Sequence, residues 1–138
     1  MSSWKEERRA AAAEQAAALE RKKAFESAKA RELLLAFVRD MREAGVEPEP
    51  LRAQVVGSSA SYRTHLTGWY LRNNKSLAVD VDANFYILGV PASLKARLSG
   101  VKVLPSDPPL IVGQGGRDGE SIPMADLLRL RMPQHGSD

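Results

Sequence analysis

The sequence contains no cysteine, so it can form neither a disulfide framework nor a cysteine-based metal or redox site. Its histidines are only two, His65 and His135, and a single histidine rarely anchors a metal. No stretch approaches the roughly 20 apolar residues of a membrane span, and residues 5–9 are all charged where a signal peptide needs an apolar run. We therefore expect no metal, no cofactor and no membrane association, and a soluble, cytoplasmic protein.

Proline and glycine are absent from the first 44 residues, which predicts one uninterrupted helix from about Ser3 to Ala44. At about 1.5 Å per residue, this helix would be roughly 60 Å long. A compact domain of this chain length is only about 30 Å across. The protein's own fold therefore cannot cover the whole helix, and a second copy, a partner protein or a nucleic acid is expected to meet it.

The first part of this helix, residues 1–32, is predicted to be an extended, charged, Ala-rich arm. Its residues are strong helix formers with few large apolar side chains. A heptad can be drawn through four of them, but charged and polar residues interrupt the seam, which spoils a standard coiled coil. Both a solvated single helix and an Ala-lined contact with another helix stay open. The four heptad residues are Trp4, Ala11, Ala18 and Phe25.

The second part, residues 33–44, carries an apolar stripe at helical spacing and is predicted to pack on the sheet of the domain. Gly45 is expected to end the helix in a left-handed conformation, and Pro48 and Pro50 prevent its resumption. The stripe is expected to lie near Leu77, Val79, Phe85 or Ile87. It consists of Leu34, Phe37, Val38 and Met41.

The rest of the chain indicates an α+β fold: the long helix is followed by a small antiparallel β-meander with short helices packed around it. The apolar spacing changes to period two, which predicts three strands with one covered face. Residues 33–132 form the domain, and residues 133–138 a flexible tail. The predicted strands are 66–72, 76–81 and 84–90, with a fourth at 101–104. The predicted short helices are 92–98 and 124–132, the latter capped by Ser121.

Two groups of residues are candidate binding sites. Aromatic and basic side chains interleave on the predicted sheet, where they could stack on bases and hold phosphates. The loop Gly113–Ser121 is rich in glycine and could bind an anion through backbone N–H groups, although it matches no known phosphate motif. The possible nucleic-acid contacts are Tyr62, Arg63, Tyr70, Arg72 and Lys75. The possible anion-binding residues are Gly115, Gly116 and Arg117.

No catalytic set is recognisable, so a non-enzymatic role is favoured. Residues 1–45 hold ten Lys or Arg against eight acids, and residues 46–138 hold ten against nine, so neither part is a basic block. We expect a protein-interaction or assembly module that docks through its long N-terminal helix, on a partner protein or on a second copy. The alternatives are a nucleic-acid-binding accessory protein using the basic arm or the aromatic sheet face, and a small ligand-binding or enzymatic domain at the Gly113–Ser121 loop.

Overall fold

The computed structural model describes residues 3–113 and 121–133. A long helix is followed by a sheet and short helices, which confirms the predicted α+β class. The helices are α1 (Ser3–Glu43), α2 (Leu94–Ser99) and α3 (Met124–Arg131). The strands are β1 (Glu49–Val55), β2 (Ser61–Tyr70), β3 (Leu77–Asp80), β4 (Phe85–Ile87), β5 (Gly89–Val90), β6 (Ile111–Val112) and β7 (Ile122–Pro123). None of the helices in these ranges has the length and apolar composition needed to cross a membrane.

Helix α1 runs without interruption over 41 residues and ends at the predicted glycine. Gly45 has a φ of +77°, a left-handed conformation in which a residue with a Cβ is strained. The N–H of Val46 donates to the carbonyl of Met41, and the N–H of Gly45 donates to that of Arg42, each at 3.0 Å. These two bonds form a Schellman motif, which satisfies the last carbonyl groups of the helix.

The main sheet has five strands in the order β4-β3-β2-β1-β5. All neighbours are antiparallel except β1 and β5, which are parallel. The predicted meander corresponds to β2, β3 and β4. Strand β1 is not predicted, because Pro48 and Pro50 interrupt the alternation at its start. Pro50 has no N–H to donate to a neighbouring strand. It pairs with Thr67 of β2 on one side of β1. On the other side, β5 reaches only Gln54 and Val55, so no strand beside Pro50 needs the missing N–H.

The outer strands of this sheet, β4 and β5, are separated in the chain by Leu88 alone. The N–H of Leu88 donates to the carbonyl of Ser76, and its carbonyl accepts from the N–H of Gln54, both at 2.8 Å. Leu88 thus bonds to the residue before β3 on one side and to β1 on the other. The sheet therefore curls, because its two outer strands follow each other in the chain while pairing with β3 and with β1.

The curl changes the prediction that only one face of the sheet is covered. Ala78 and Tyr86 point away from α1, yet both are buried in a cluster with Leu51 and Leu88. The curled sheet covers this face itself, with help from Val103. The prediction of one covered face is wrong because the curl brings together residues that are far apart in the sequence.

The opposite face of the sheet packs on α1 and α3 and forms the larger core. The predicted stripe of α1 is buried in this cluster. The indole Nε1 of Trp69 donates to the carbonyl of Val46 at 3.0 Å, which ties the sheet to the end of α1. The packing of α1 and α3 on the sheet does not bury Ile87, which is 53% exposed. The other members include Leu34, Phe37, Val38 and Met41 of α1, Leu71, Leu77, Val79 and Phe85 of the sheet, and Met124, Leu127 and Leu128 of α3.

Two smaller predictions are wrong. Residues 101–104 form no strand; Val101 only donates its N–H to the carbonyl of Arg63, and Ser106 makes a single bridge to Phe85. Prolines follow in this segment, and their missing N–H groups cannot support a ladder. Ser121 does not cap α3, whose N-cap residue is Pro123 and has no side-chain cap bond. The pairing of β7 with β6 instead holds the chain in an extended conformation up to the start of α3.

Candidate functional site

The N-terminal part of α1 stands away from the rest of the fold. Every residue from 3 to 25 is exposed, whereas Ala30 is the first buried residue of the helix. We call residues 3–25 the exposed arm; 23 residues of α-helix are about 35 Å long. Three large apolar side chains lie on it, with Trp4 51%, Leu19 53% and Phe25 63% exposed. These three side chains leave apolar surface of the exposed arm in contact with water.

Cationic side chains lie over both aromatic rings of the exposed arm. The guanidinium carbon of Arg8 is 5.4 Å from the centroid of the Trp4 ring, and Lys29 Nζ is 5.6 Å from that of Phe25. Exposed cation–π contacts of this kind are worth about 0.5–1 kcal/mol. Each ring therefore has a positive charge beside it.

Beyond the exposed arm, Arg31 of α1 forms an exposed ion pair with the domain. Arg31 Nη2 lies 3.9 Å from a carboxylate oxygen of Asp107, and the Asp107 side chain is 89% exposed. A pair in this setting contributes little to stability, because water and salt screen it. The position of the arm is therefore set by the continuity of α1 and its buried stripe.

The first two predicted nucleic-acid contacts lie beside α2 and bond within the fold. Tyr62 is 8% exposed, and its hydroxyl accepts from the N–H of Ser93 at 2.7 Å. Arg63 Nη2 donates to the carbonyl of Leu98 at 3.1 Å. The ring of Tyr62 packs in a small cluster with Val55 and Ala96. These two side chains hold α2 against β2.

The other three predicted contacts lie at the opposite end of β2 and in the following hairpin. Tyr70 is half-buried, and its hydroxyl accepts from the N–H of Arg52 at 2.8 Å. Lys75 Nζ lies 5.4 Å from the centroid of the Tyr70 ring. Arg72 is half-buried. The structure thus divides the predicted five-residue set into two groups, and contact of either group with nucleic acid stays a prediction.

The predicted anion-binding residues Gly115, Gly116 and Arg117 lie outside the described residues. The chain is described again from Ser121, which lines a groove of about 370 Å³ between the β2–β3 hairpin and α3. Arg131 reaches across this groove, and its Nη1 donates to Asn73 Oδ1 at 2.6 Å. The groove joins residues 58 positions apart in the sequence, so no local pattern could have indicated it.

Sequence reasoning also misses a buried polar pair, Asp80 and Tyr86. The carboxylate of Asp80 accepts from the N–H groups of Asp82 and Asn84, both at 2.9 Å, and from the Tyr86 hydroxyl, also at 2.9 Å. Burial and then the bond to Asp80 raise the pKa of Tyr86 to about 12. Because Asp80 is committed to the β3–β4 turn, this pair is structural. In the described ranges no three His, Asp or Glu side chains lie close enough to hold a metal ion.

A scan of protein-family models finds no match to this chain, and searches of curated proteins and of solved structures find none either. The inferences about function therefore rest on the geometry and chemistry of the surfaces described above.

Proposed function

We propose that this protein is a non-enzymatic interaction or assembly module that docks through the exposed arm. The observation that carries this proposal is the exposure of every side chain from residue 3 to residue 25 on a continuous helix. No residue of this segment is buried in the core of the fold. A partner that covers this segment would remove its apolar side chains from water.

The side chains of the exposed arm support a protein partner. Full burial of one large apolar side chain stabilises a complex by about 1.5–3 kcal/mol, and Trp4, Leu19 and Phe25 are all exposed. Aromatic residues are also enriched among the side chains that dominate interface energies. Because the helix is already formed, a partner would not have to order it, which lowers the cost of association.

The proposal is tested with two full-length triple variants. In the arm variant, Trp4, Leu19 and Phe25 are each replaced by Gln, a good helix former, so that apolar contact is lost while the helix is kept. In the control variant, Val56, Leu94 and Leu98 are replaced by Gln; these side chains are at least 72% exposed and lie in the domain. Circular dichroism and urea unfolding establish that both variants fold.

Sedimentation over a range of concentrations measures self-association, and photo-cross-linking in cell extract from position 15, which is exposed and unchanged in both variants, identifies another partner. We expect an association that the wild type and the control variant share and that the arm variant loses. A chain that stays monomeric and captures no partner, or an association that only the control variant loses, would contradict the proposal.

Nucleic-acid binding through the arm is the alternative, since its basic residues are exposed. They outnumber its acids by six to four over residues 3–25. Binding of this kind weakens steeply with salt because phosphate contacts release counterions. Fluorescence anisotropy with labelled DNA and RNA at about 50 mM salt tests it, a condition that favours electrostatic binding. A flat response to both would remove this alternative. The basic residues are Lys5, Arg8, Arg9, Arg21, Lys22 and Lys23.

A further inference from the structure

The groove between the β2–β3 hairpin and α3 combines two arginines with an apolar floor. We call it the Arg72–Arg131 groove. Its volume of about 370 Å³ lies within the range of small-molecule sites. Arg72, Asn73 and Asn74 line it from the hairpin, and Leu127 and Arg131 line it from α3. No carboxylate is among the described residues that line it, so its charged groups are all positive.

The guanidinium of Arg131 is held in place but not fully paired. Its Nη1 donates to Asn73 Oδ1 at 2.6 Å, while its Nε is buried and has no hydrogen-bond partner in the described part of the chain. A buried donor without an acceptor is costly, so native structures rarely leave one. Asp126, the acidic residue of α3, bonds instead to Arg129 at 2.7 Å.

The two asparagines add N–H donors to the groove. Asn73 Oδ1 accepts from Arg131, and Asn74 Oδ1 accepts from the N–H of Ser76 at 3.0 Å and from its hydroxyl at 2.6 Å. Since both amide oxygens are engaged, each side chain keeps its NH₂ group to donate. Over the described residues no ion pair involves Arg72, so its guanidinium has no carboxylate partner there. These four side chains therefore offer the groove N–H donors and positive charge.

The apolar floor of the groove indicates the chemistry of the part of the ligand that is not anionic. Leu71 is fully buried and Leu127 is 5% exposed, whereas Leu130 is 63% exposed beside them. An apolar body could rest on Leu130 and be removed from water there. Arginine suits an anionic oxygen pair, because its planar fork donates two parallel hydrogen bonds.

We propose that the Arg72–Arg131 groove binds a small organic anion, a carboxylate or a phosphate monoester with a short apolar body. The anionic oxygens accept from the two guanidinium groups and the asparagine amides, and the apolar body lies on the leucines. This site is independent of the exposed arm, and either proposal can fail without the other.

The test is an NMR titration of the ¹⁵N-labelled full chain at low salt with three probes. Hexanoate and hexyl phosphate carry the two kinds of anionic head group, and hexan-1-ol carries the same apolar body without charge. We expect both anions, or one of them, to shift the amide signals of residues 71–75 and 127–131, and hexan-1-ol to shift them much less. The head group that binds more tightly identifies the ligand class. Equal binding of hexan-1-ol would show a purely apolar groove and overturn the proposal.

Matched variants locate the site. Arg131→Gln should weaken binding about tenfold, which corresponds to 1.4 kcal/mol. Arg72→Gln should weaken it several-fold, and it removes no hydrogen bond of the described structure, so it serves if Arg131→Gln fails to fold. Arg129→Gln is the control, because it makes the same charge change on the exposed side of α3. A loss in the control equal to the loss in the groove variants would mean nonspecific attraction.

Two carboxylates of the loop before Ser121, Asp118 and Glu120, lie outside the described residues. If the probes bind only after Asp118→Asn and Glu120→Gln are combined, the chain supplies its own acceptor, and the proposal is wrong. If the probes shift no signals of residues 71–75 or 127–131 in the wild type or in this double variant, the groove is not an anion site.

Discussion

Replacing Leu34 with Ala tests whether the buried stripe in the last part of α1 stabilises the fold. Leu34 is fully buried in the core cluster that joins α1, the sheet and α3. Truncating a buried leucine removes its transfer free energy and leaves a cavity, and together these cost about 2–5 kcal/mol. Because Leu34 is fully buried in a cluster that joins three elements, we expect a value of about 3–4 kcal/mol. This is a large fraction of the 5–15 kcal/mol that is typical of a domain.

The next residue provides the control. Leu35 lies on the same helix but is 55% exposed. Leu35→Ala makes the same chemical change with the same difference in helix propensity, so comparing the two variants isolates burial. We expect Leu35→Ala to change the free energy of unfolding by less than about 0.5 kcal/mol.

Urea unfolding followed by tryptophan fluorescence measures both variants. With a slope of about 1.5 kcal/mol per M, the Leu34 variant should lower the urea midpoint by about 2 M. The slope itself should not change. Equal small effects at the two positions would refute the assignment of the stripe to the core and would mean that it serves a partner.

Three further predictions concern the sheet and the arm. Gly68→Ala should prevent native folding, because a Cβ there would meet the carbonyl oxygen of Val79 and lie 2.7 Å from a backbone carbon of Asp80. The control is Gly89→Ala, whose Cβ would meet only a side chain at 3.7 Å and which should leave the thermal midpoint nearly unchanged. The pKa of Tyr86 is raised from 10.0 to about 12, so the folded state keeps a proton that the unfolded state loses, and stability should fall as the pH rises through this interval. Tyr86→Phe should flatten that part of a stability–pH profile. Ala17→Pro should reduce the helical circular dichroism signal but leave the urea midpoint unchanged, because the exposed arm contributes no core contact.

Local signals account for the parts of the fold that sequence predicts well. The absence of proline and glycine before Gly45 indicates the length of α1, and the left-handed glycine ends it where expected. The spacing of Leu34, Phe37, Val38 and Met41 indicates which side of the helix is buried. Both signals depend on residues within one or two turns of each other, so they can be detected without knowing the fold.

The curl of the sheet depends on distant residues and escapes prediction for that reason. Residues 84–90 look like one strand, but Leu88 divides them so that β4 pairs with β3 and β5 with β1. Strand β2 bends at a bulge: the register moves from Pro50–Thr67 to Arg52–Arg63, with two extra residues in β2. No alternation of apolar residues indicates such a bend. The burial of Ala78 and Tyr86 follows from it and is missed as well.

Candidate sites were harder to predict than the fold, because an aromatic or basic residue looks the same whether it serves the core or a ligand. Tyr62 resembles a stacking residue in the sequence, yet its hydroxyl and ring are used to hold α2. Arg131 has no distinctive sequence context, yet it crosses a groove to reach Asn73. Only the tertiary structure reveals which polar groups are already engaged.

The two parts of α1 are linked physically, although only one of them is buried. Starting a helix is costly because the first turn fixes three residues for one hydrogen bond, whereas each later residue adds a bond of its own. The buried stripe fixes the turns around Leu34 and Phe37, so the exposed arm extends an existing helix and need not nucleate one. Fraying should therefore increase from Ala30 towards Ser3. The core thus stabilises the helix from which the exposed arm extends, although it buries no residue of the arm. Trp4, Leu19 and Phe25 therefore stay exposed, where the proposed partner could contact them.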